Sequence, residues 1–294
     1  MIMEVKKLCL GTAQWGSSYG VSNTRGQTRS NEVTKILSLA YEKGINLIDT
    51  SSLYGDAETI LGQNDLDSFS VVTKTLKIDK KIISKFDVDK LVRTFKSSLN
   101  KMNCESCYGL LLHHKNDILS SGGEYLAEAL NILKSDGYVK KIGVSIYDTE
   151  DIEIVIDRIN PCIIQLPLNV FDQRAIHDGT LLDFKNKNIE IHARSIFLQG
   201  LLLMPPEKIP PFFKPWVKKL NEWRKICNEN GISYIEAALN FVINLDLIDY
   251  CIVGIEDSNQ LRQCISVIKT EKIMKLDKLA SSDDNLINPN NWKI

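Results

Sequence analysis

Apolar residues follow two rhythms along this chain. Short, nearly unbroken apolar runs alternate with longer stretches in which apolar residues return every third or fourth position. The first rhythm suits strands covered on both faces, the second helices that bury one side. The runs predict strands at 8–11, 47–49, 71–74, 108–113, 142–145, 163–166, 189–194 and 250–253. The helical rhythm is plainest at 31–41 (Val33, Ile36, Leu37, Ala40), 90–102 (Leu91, Phe95, Leu99, Met102) and 126–133 (Leu126, Ala129, Leu130, Leu133). Ser30 and Asp87 stand where N-caps belong, and Gly44 and Gly137 fall just past helix ends.

Doubly covered strands separated by helices imply a parallel sheet. Eight such units without a Pro/Gly/Ser-rich linker predict an α/β fold, a single (β/α)8 TIM barrel forming one domain over residues 1–294. Two segments exceed a minimal barrel. A proline-rich loop at 201–215 leads into helical patterns at 216–230 and 233–244. After the last barrel helix come a helical pattern at 272–280 and a polar tail at 281–294 carrying Trp292. That tryptophan either folds over the barrel mouth or anchors the tail underneath.

Composition narrows the partners. The 294 residues are 44% hydrophobic and 25% charged with a formal net charge of −1, and no long basic tract occurs. General binding to nucleic acid or to an anionic membrane is therefore not expected. No run is long and apolar enough to span a bilayer and the N-terminus lacks a signal-peptide core, so a cytoplasmic protein is expected. The seven cysteines are an odd number, mostly inside apolar runs, which predicts buried thiols. Cys104 and Cys107 have CxxC spacing but no second ligand pair, so no metal site is expected.

Chemistry gathers at strand ends. Asp49 closes the second strand and Tyr54 follows in the next turn, while Lys74 and His113 close the third and fourth. The C-terminal ends of parallel strands are where ligands bind, which places these side chains at a mouth. A tyrosine, with an ordinary pKa of about 10, becomes a useful acid near neutrality only if its phenolate is stabilised. A buried lysine beside it does that, and a carboxylate keeps the lysine charged. No GxGxxG, GxSxG or HExxH pattern competes with this arrangement.

Asp49-Thr50, Tyr54-Gly55, Glu58 and Leu61-Gly62 fall in step with the signature of the aldo-keto reductases, which the chain resembles from Leu8 to about Val267. The resemblance implies NAD(P)H-dependent reduction of a ketone or aldehyde on a small-molecule substrate. It also implies the catalytic set Asp49, Tyr54, Lys74 and His113. Tyr54 would be the general acid/base, Lys74 the group lowering its pKa, Asp49 the partner of Lys74, and His113 the orienter of the carbonyl oxygen. His114 follows directly and is the alternative histidine.

The same resemblance implies cofactor contacts at Thr12, Asp49, Ser145, Gln165, Arg194, Ser195, Phe197, Gly200, Gly254, Gln260 and Gln263. It implies substrate contacts at Trp15, Tyr54 and His113, with Tyr19, Arg194, Phe197 and Trp292 as further neighbours. Three departures stand out. Ile146 replaces an asparagine that holds the carboxamide, and Arg194 replaces an aromatic residue that stacks on the nicotinamide. Glu256 and Asp257 replace the basic residues that grip a 2′-phosphate, with Arg262 near enough to compensate. NADPH is the family default, whereas an acid suits a ribose 2′-hydroxyl and leaves NADH open. The runs 165–172 and 194–200 resemble a bacterial branch associated with sugars or sugar nucleotides. A non-catalytic cofactor sensor and a Schiff-base chemistry at Lys74 are the rival readings.

Overall fold

Among the described residues, eight strands pair in parallel and in chain order, and the last pairs with the first to close a barrel. They are β1 (Leu8–Gly11), β2 (Leu47–Asp49), β3 (Ser70–Lys74), β4 (Cys107–Leu112), β5 (Val139–Ser145), β6 (Ile163–Pro167), β7 (Glu190–Arg194) and β8 (Tyr250–Gly254). The computed structural model describes residues 2–268 and 276–293. Each predicted strand is present, with ends displaced by no more than a few residues.

The two rhythms of the sequence have a direct packing cause. Cys9, Leu47, Val72, Leu111, Ile163 and Ile252 fill the barrel interior. Their strand neighbours Leu8, Leu10, Ile48, Val71, Leu110 and Ile164 point outward into a larger core shared with the helices. With both faces buried, polar alternation has no place in the strands. The outer ring includes α1 (Ser30–Glu42), α2 (Ala57–Leu61), α3 (Lys85–Lys101), α4 (Gly123–Ser135), α5 (Ile152–Ile159) and α6 (Thr180–Asn186).

Two predicted caps are corrected. The residue before α1 is Arg29, whose side chain makes no cap bond, so Ser30 lies inside the helix. For α3 the N-cap is Ser84, which accepts from the Asp87 N–H while Asp87 accepts from the Ser84 N–H. Asp87 is thus the third residue of a capping box, a position that satisfies two backbone donors instead of one. Gly44 and Gly137 do lie just beyond their helices, both in the left-handed region.

Between β7 and β8 the chain runs through 3-10 turns at Leu198–Leu203, Pro206–Lys208 and Pro211–Trp216. It then forms α7 (Val217–Glu229) and α8 (Tyr234–Ile243). This insertion builds a second core from Phe171, Leu201, Phe213, Leu220, Trp223 and Ile287. Trp292 sets its ring edge-on to Phe213 at 4.7 Å, and its indole N–H donates to the Leu286 carbonyl at 3.3 Å. The tail is therefore an anchor for the insertion. The first four residues of the predicted helix at 272–280 lie outside the described residues; its later part forms a 3-10 turn at Asp277–Leu279. No helix among the described residues is long and apolar enough to cross a membrane.

Candidate active site

Strand alternation decides which side chains reach the barrel axis. On β3, Thr73 points outward and donates to Glu58 of α2 at 2.8 Å, so the next residue, Lys74, points inward. Asp49 ends β2 beside it, and both residues are almost fully buried. The Lys74 ammonium donates to both Asp49 oxygens at 2.8 and 2.7 Å and to the Thr50 carbonyl at 2.9 Å. An ammonium has three protons, and each has an acceptor here. Burial disfavours the charged ammonium, but the Asp49 carboxylate and the Tyr54 phenol together more than offset this and hold the Lys74 pKa above its usual value.

Tyr54 stands over this pair, with the Lys74 nitrogen 5.0 Å from its ring centroid. Burial raises the phenol pKa; Lys74 pulls it down, Asp49 raises it and Arg194 lowers it again. The sum lies above the ordinary value. The expected lowering by Lys74 is thus present but outweighed, because burial penalises the phenolate and Asp49 cancels much of the ammonium field. Tyr54 is a phenol, carrying its proton.

The two histidines diverge. His113 lines the cleft, its ring 6.2 Å from that of Tyr54 and nearly perpendicular to it, with Nδ1 3.3 Å from the Ser51 hydroxyl. Burial, then the positive charges of Lys74 and Arg194, push its pKa down to about 3, so it is neutral. His114 turns away and places Nδ1 3.2 Å from Asp117.

Gln165 of β6 bridges two other strands. Its amide donates to Asp49 at 2.7 Å and accepts from the Ser145 hydroxyl at 3.3 Å. Thr12 donates to the Thr50 hydroxyl at 2.9 Å, holding the turn after β1 against that after β2. Arg194, at the end of β7, lies 4.0 Å over the Tyr147 ring and donates to the Ile146 carbonyl at 2.9 Å. Tyr19 and Gln199 meet across the rim at 3.1 Å.

One continuous cleft joins these groups to Gly254, Glu256, Gln260 and Gln263 at the start of α9 (Ser258–Ser266). Two observations suit a bound dinucleotide there. The Gln14 side-chain oxygen is buried in the cleft without a hydrogen-bond partner among the described residues. The turn after β7 carries Ser195, Leu198, Gln199 and Gly200 at positive φ, a concentration of strain of the kind found where backbone clamps a ligand. Thr12, Asp49, Ser145, Gln165, Arg194, Ser195, Phe197, Gly200, Gly254, Gln260 and Gln263 all line the cleft.

Trp15 is corrected. Its side chain is completely buried and its indole N–H donates to the Ile255 carbonyl at 2.8 Å, so it belongs to the core and does not line the cleft. The cause is that residues 13–16 form a helical turn, which swings the indole under β8. Trp292 is likewise committed to Phe213, and Arg262 is exposed outside the cleft lining. Residues that sequence reasoning missed are Gln14, Ser51 and Tyr147, together with Glu32, which covers the start of α9. No motif marks them; a tyrosine two residues after the Ser145 strand end was the only signal for Tyr147.

A parallel eight-stranded barrel with Asp, Tyr, Lys and His converging at its C-terminal mouth defines a class of barrel oxidoreductases. The profile of the aldo/keto reductase family matches residues 7–281, and the chain belongs to that family. Its membership makes it an NAD(P)H-dependent oxidoreductase acting on carbonyl groups of small molecules. The uncharacterized oxidoreductase YqkF of Bacillus subtilis (strain 168) is 25% identical over 288 residues, covering 92% of this chain and 93% of that protein. Among solved structures, aldo-keto reductase AKR11C1 from Bacillus halodurans in its holo form superposes with a TM-score of 0.74. It is 17% identical, covering 97% of this chain and 95% of its own. Glycerol dehydrogenase AKR11B4 from Gluconobacter oxydans gives a TM-score of 0.69 at 22% identity, covering 97% and 93%. These two likenesses concern the fold.

Proposed function

We propose that this chain, acting as one barrel domain, reduces a ketone or aldehyde on a sugar or sugar nucleotide, with Tyr54 as proton donor and NADH as cofactor. The observation that carries the reading is the buried Asp49–Lys74 pair set against Tyr54. A bound nicotinamide supplies the hydride. Neutral His113 donates a hydrogen bond to the carbonyl oxygen and fixes its direction. As negative charge develops on that oxygen, Tyr54 gives up its proton, and the phenolate left behind is stabilised by the Lys74 ammonium. The raised phenol pKa suits this order of events, since an alkoxide is a far stronger base than a phenolate. Asp49 keeps Lys74 charged throughout, and Tyr54 regains its proton from solvent. The hydroxyls and amides of Tyr19, Tyr147 and Gln199 around the cleft suit a polyhydroxylated substrate.

The cofactor reading departs from the family default. Among the described residues, Lys74, His113 and Arg194 are the basic side chains lining the cleft, and all three gather around Tyr54. At α9 the lining acid is Glu256. Both the N–H and the hydroxyl of Ser258 donate to Glu32, at 2.9 and 2.8 Å, and the Gln260 N–H donates to Asp257 at 2.8 Å. Two carboxylates therefore cover the helix terminus that would otherwise attract a phosphate. Arg25 pairs with Asp257. A 2′-phosphate would meet Glu256 there, whereas a 2′-hydroxyl can donate to it.

The test is a fluorescence titration with NADH and with NADPH, run on the wild type and on Tyr54→Phe. Tighter binding of NADH by both proteins, with carbonyl-dependent NADH oxidation by the wild type alone, is expected. Preference for NADPH would overturn the cofactor reading, and binding of neither would overturn the reductase.

A further inference from the structure

Among the described residues, Arg194 is a cation without a counter-ion at the point where a substrate must sit. It lines the cleft together with Tyr54, His113 and Tyr19. The contacts that fix it are neutral: one face on the Tyr147 ring at 4.0 Å, one N–H to the Ile146 carbonyl at 2.9 Å, and one to the Ser195 hydroxyl at 3.4 Å. Among the described residues no carboxylate lies within 4.0 Å of its guanidinium. Asp49 is engaged by Lys74, and Asp172 is held by Arg174 through bonds of 2.8 and 2.9 Å.

The charge balance around the carbonyl position follows. Lys74 and Asp49 cancel, and Tyr54, Tyr19 and His113 are neutral. Arg194 is the charge left over. A guanidinium presents five N–H donors in a planar fork, and the protein uses two of them here. The remaining donors match the paired oxygens of a carboxylate or phosphate. Holding a half-buried guanidinium without a counter-charge is costly, and a ligand anion removes that cost.

We propose that Arg194 is a specificity residue that binds an anionic group, carboxylate or phosphate, on the carbonyl substrate, while Tyr147 and the Ile146 carbonyl hold its fork in place. The proposal rests on the reductase reading above and narrows its substrate to acidic or phosphorylated carbonyl compounds.

The experiment compares the wild type with Arg194→Gln and Arg194→Lys on matched sets differing in one group: glucose, glucuronate and glucose 6-phosphate, and glyceraldehyde with glyceraldehyde 3-phosphate. Turnover with NADH and quenching of the protein–NADH complex by each compound are both recorded. The wild type is expected to favour an anionic member over its neutral counterpart by about tenfold or more, the range of a charge-assisted hydrogen bond. The two six-carbon acids separate carboxylate from phosphate. Arg194→Gln should collapse that ratio through KM and binding, with Arg194→Lys retaining part of it, and added salt should shrink it in the wild type.

Equal treatment of neutral and anionic members by the wild type in every set would overturn the inference. So would an equal loss on all compounds in Arg194→Gln accompanied by weaker NADH binding, which would assign Arg194 to the cofactor instead. If neither nicotinamide binds, the reductase reading falls by itself. Quenching of the free protein by the acids, lost in Arg194→Gln, would still support an anion site, and its absence would overturn that as well.

Discussion

A methyl group placed on Gly16 would lie 1.6 Å from the carbonyl oxygen of Tyr54 and 2.6 Å from the Ala57 nitrogen. The turns after β1 and β2 thus touch backbone to backbone, and this contact sets Tyr54 relative to the turn that carries Thr12. Gly55 completes the approach: its φ is +53°, and a Cβ there would come 2.2 Å from the Gly16 carbonyl oxygen. Gly16→Ala is therefore expected to push the Tyr54 turn outward. A displacement of about 1 Å at a reacting group costs on the order of a hundredfold in rate, and overpacking of this kind costs about 1–3 kcal/mol. Steady-state kinetics should show the loss mainly in kcat, and thermal melting should show a lower Tm.

Tyr54→Phe and Lys74→Met separate chemistry from stability. Removing the phenol takes away the proposed proton donor and should lower kcat by roughly a hundredfold to ten-thousandfold, with little change in Tm. Lys74→Met leaves the Asp49 carboxylate buried and accepting only from Gln165, which should cost about 3–5 kcal/mol in addition to the activity. Denaturant unfolding of the two variants side by side checks this. A Tm loss in Tyr54→Phe as large as that in Lys74→Met would contradict it.

The pH dependence has a definite sign. The proposed mechanism needs Tyr54 protonated, and its pKa is held above the ordinary value, first by burial. His113 stays neutral until about 3. The rate kcat/KM for reduction should therefore be flat from about pH 5 to about pH 9. Stability behaves differently. His113 takes up a proton near 6.5 when unfolded but near 3 when folded, so the unfolded chain binds more protons between those values. Its contribution to stability is complete above about pH 6.5 and is lost as the pH falls towards 3. His113→Asn should flatten the acid limb of a Tm-against-pH curve.

Trp15→Phe tests the corrected placement of that side chain. The substitution leaves the Ile255 carbonyl unsatisfied in a dry environment, a loss of about 1–3 kcal/mol. The expected result is a lower Tm with an unchanged KM for the carbonyl substrate. A raised KM at an unchanged Tm would place the indole at the cleft after all.

Much of the fold was legible because its determinants are local. An apolar run bounded by Gly44 and closed by Asp49 needs no partner to be recognised as a strand end at a mouth. Boundaries of helices were less so, since a cap depends on which side chain reaches which N–H. Asp87 has the right chemistry for an N-cap, yet Ser84 takes that place because the chain turns extended three residues earlier. Trp15 failed for a related reason. A single helical turn after β1 rotates the indole into the core, and no pattern of neighbouring residues signals that rotation.

The clearest division lies between the two ends of the barrel. A tyrosine, a lysine, a carboxylate and a histidine meet twice in this molecule. At the N-terminal end, Glu190 accepts from Tyr108 at 2.8 Å and from Lys141 at 2.6 Å, and its other oxygen lies 2.6 Å from His192. As a list of residue types this group matches Asp49, Tyr54, Lys74 and His113. The sequence placed the second set at the ends of β2, β3 and β4 and in the turn after β2, and the resemblance to the aldo-keto reductases singled it out. Only the closed barrel decided that the first set is a plug, with Glu190 engaged on both oxygens. It also decided that Arg194 faces the cleft without a carboxylate partner among the described residues and that Glu32 covers the start of α9. Those relations join residues far apart in sequence, and they exist only once closure of β1 onto β8 fixes the distances between them.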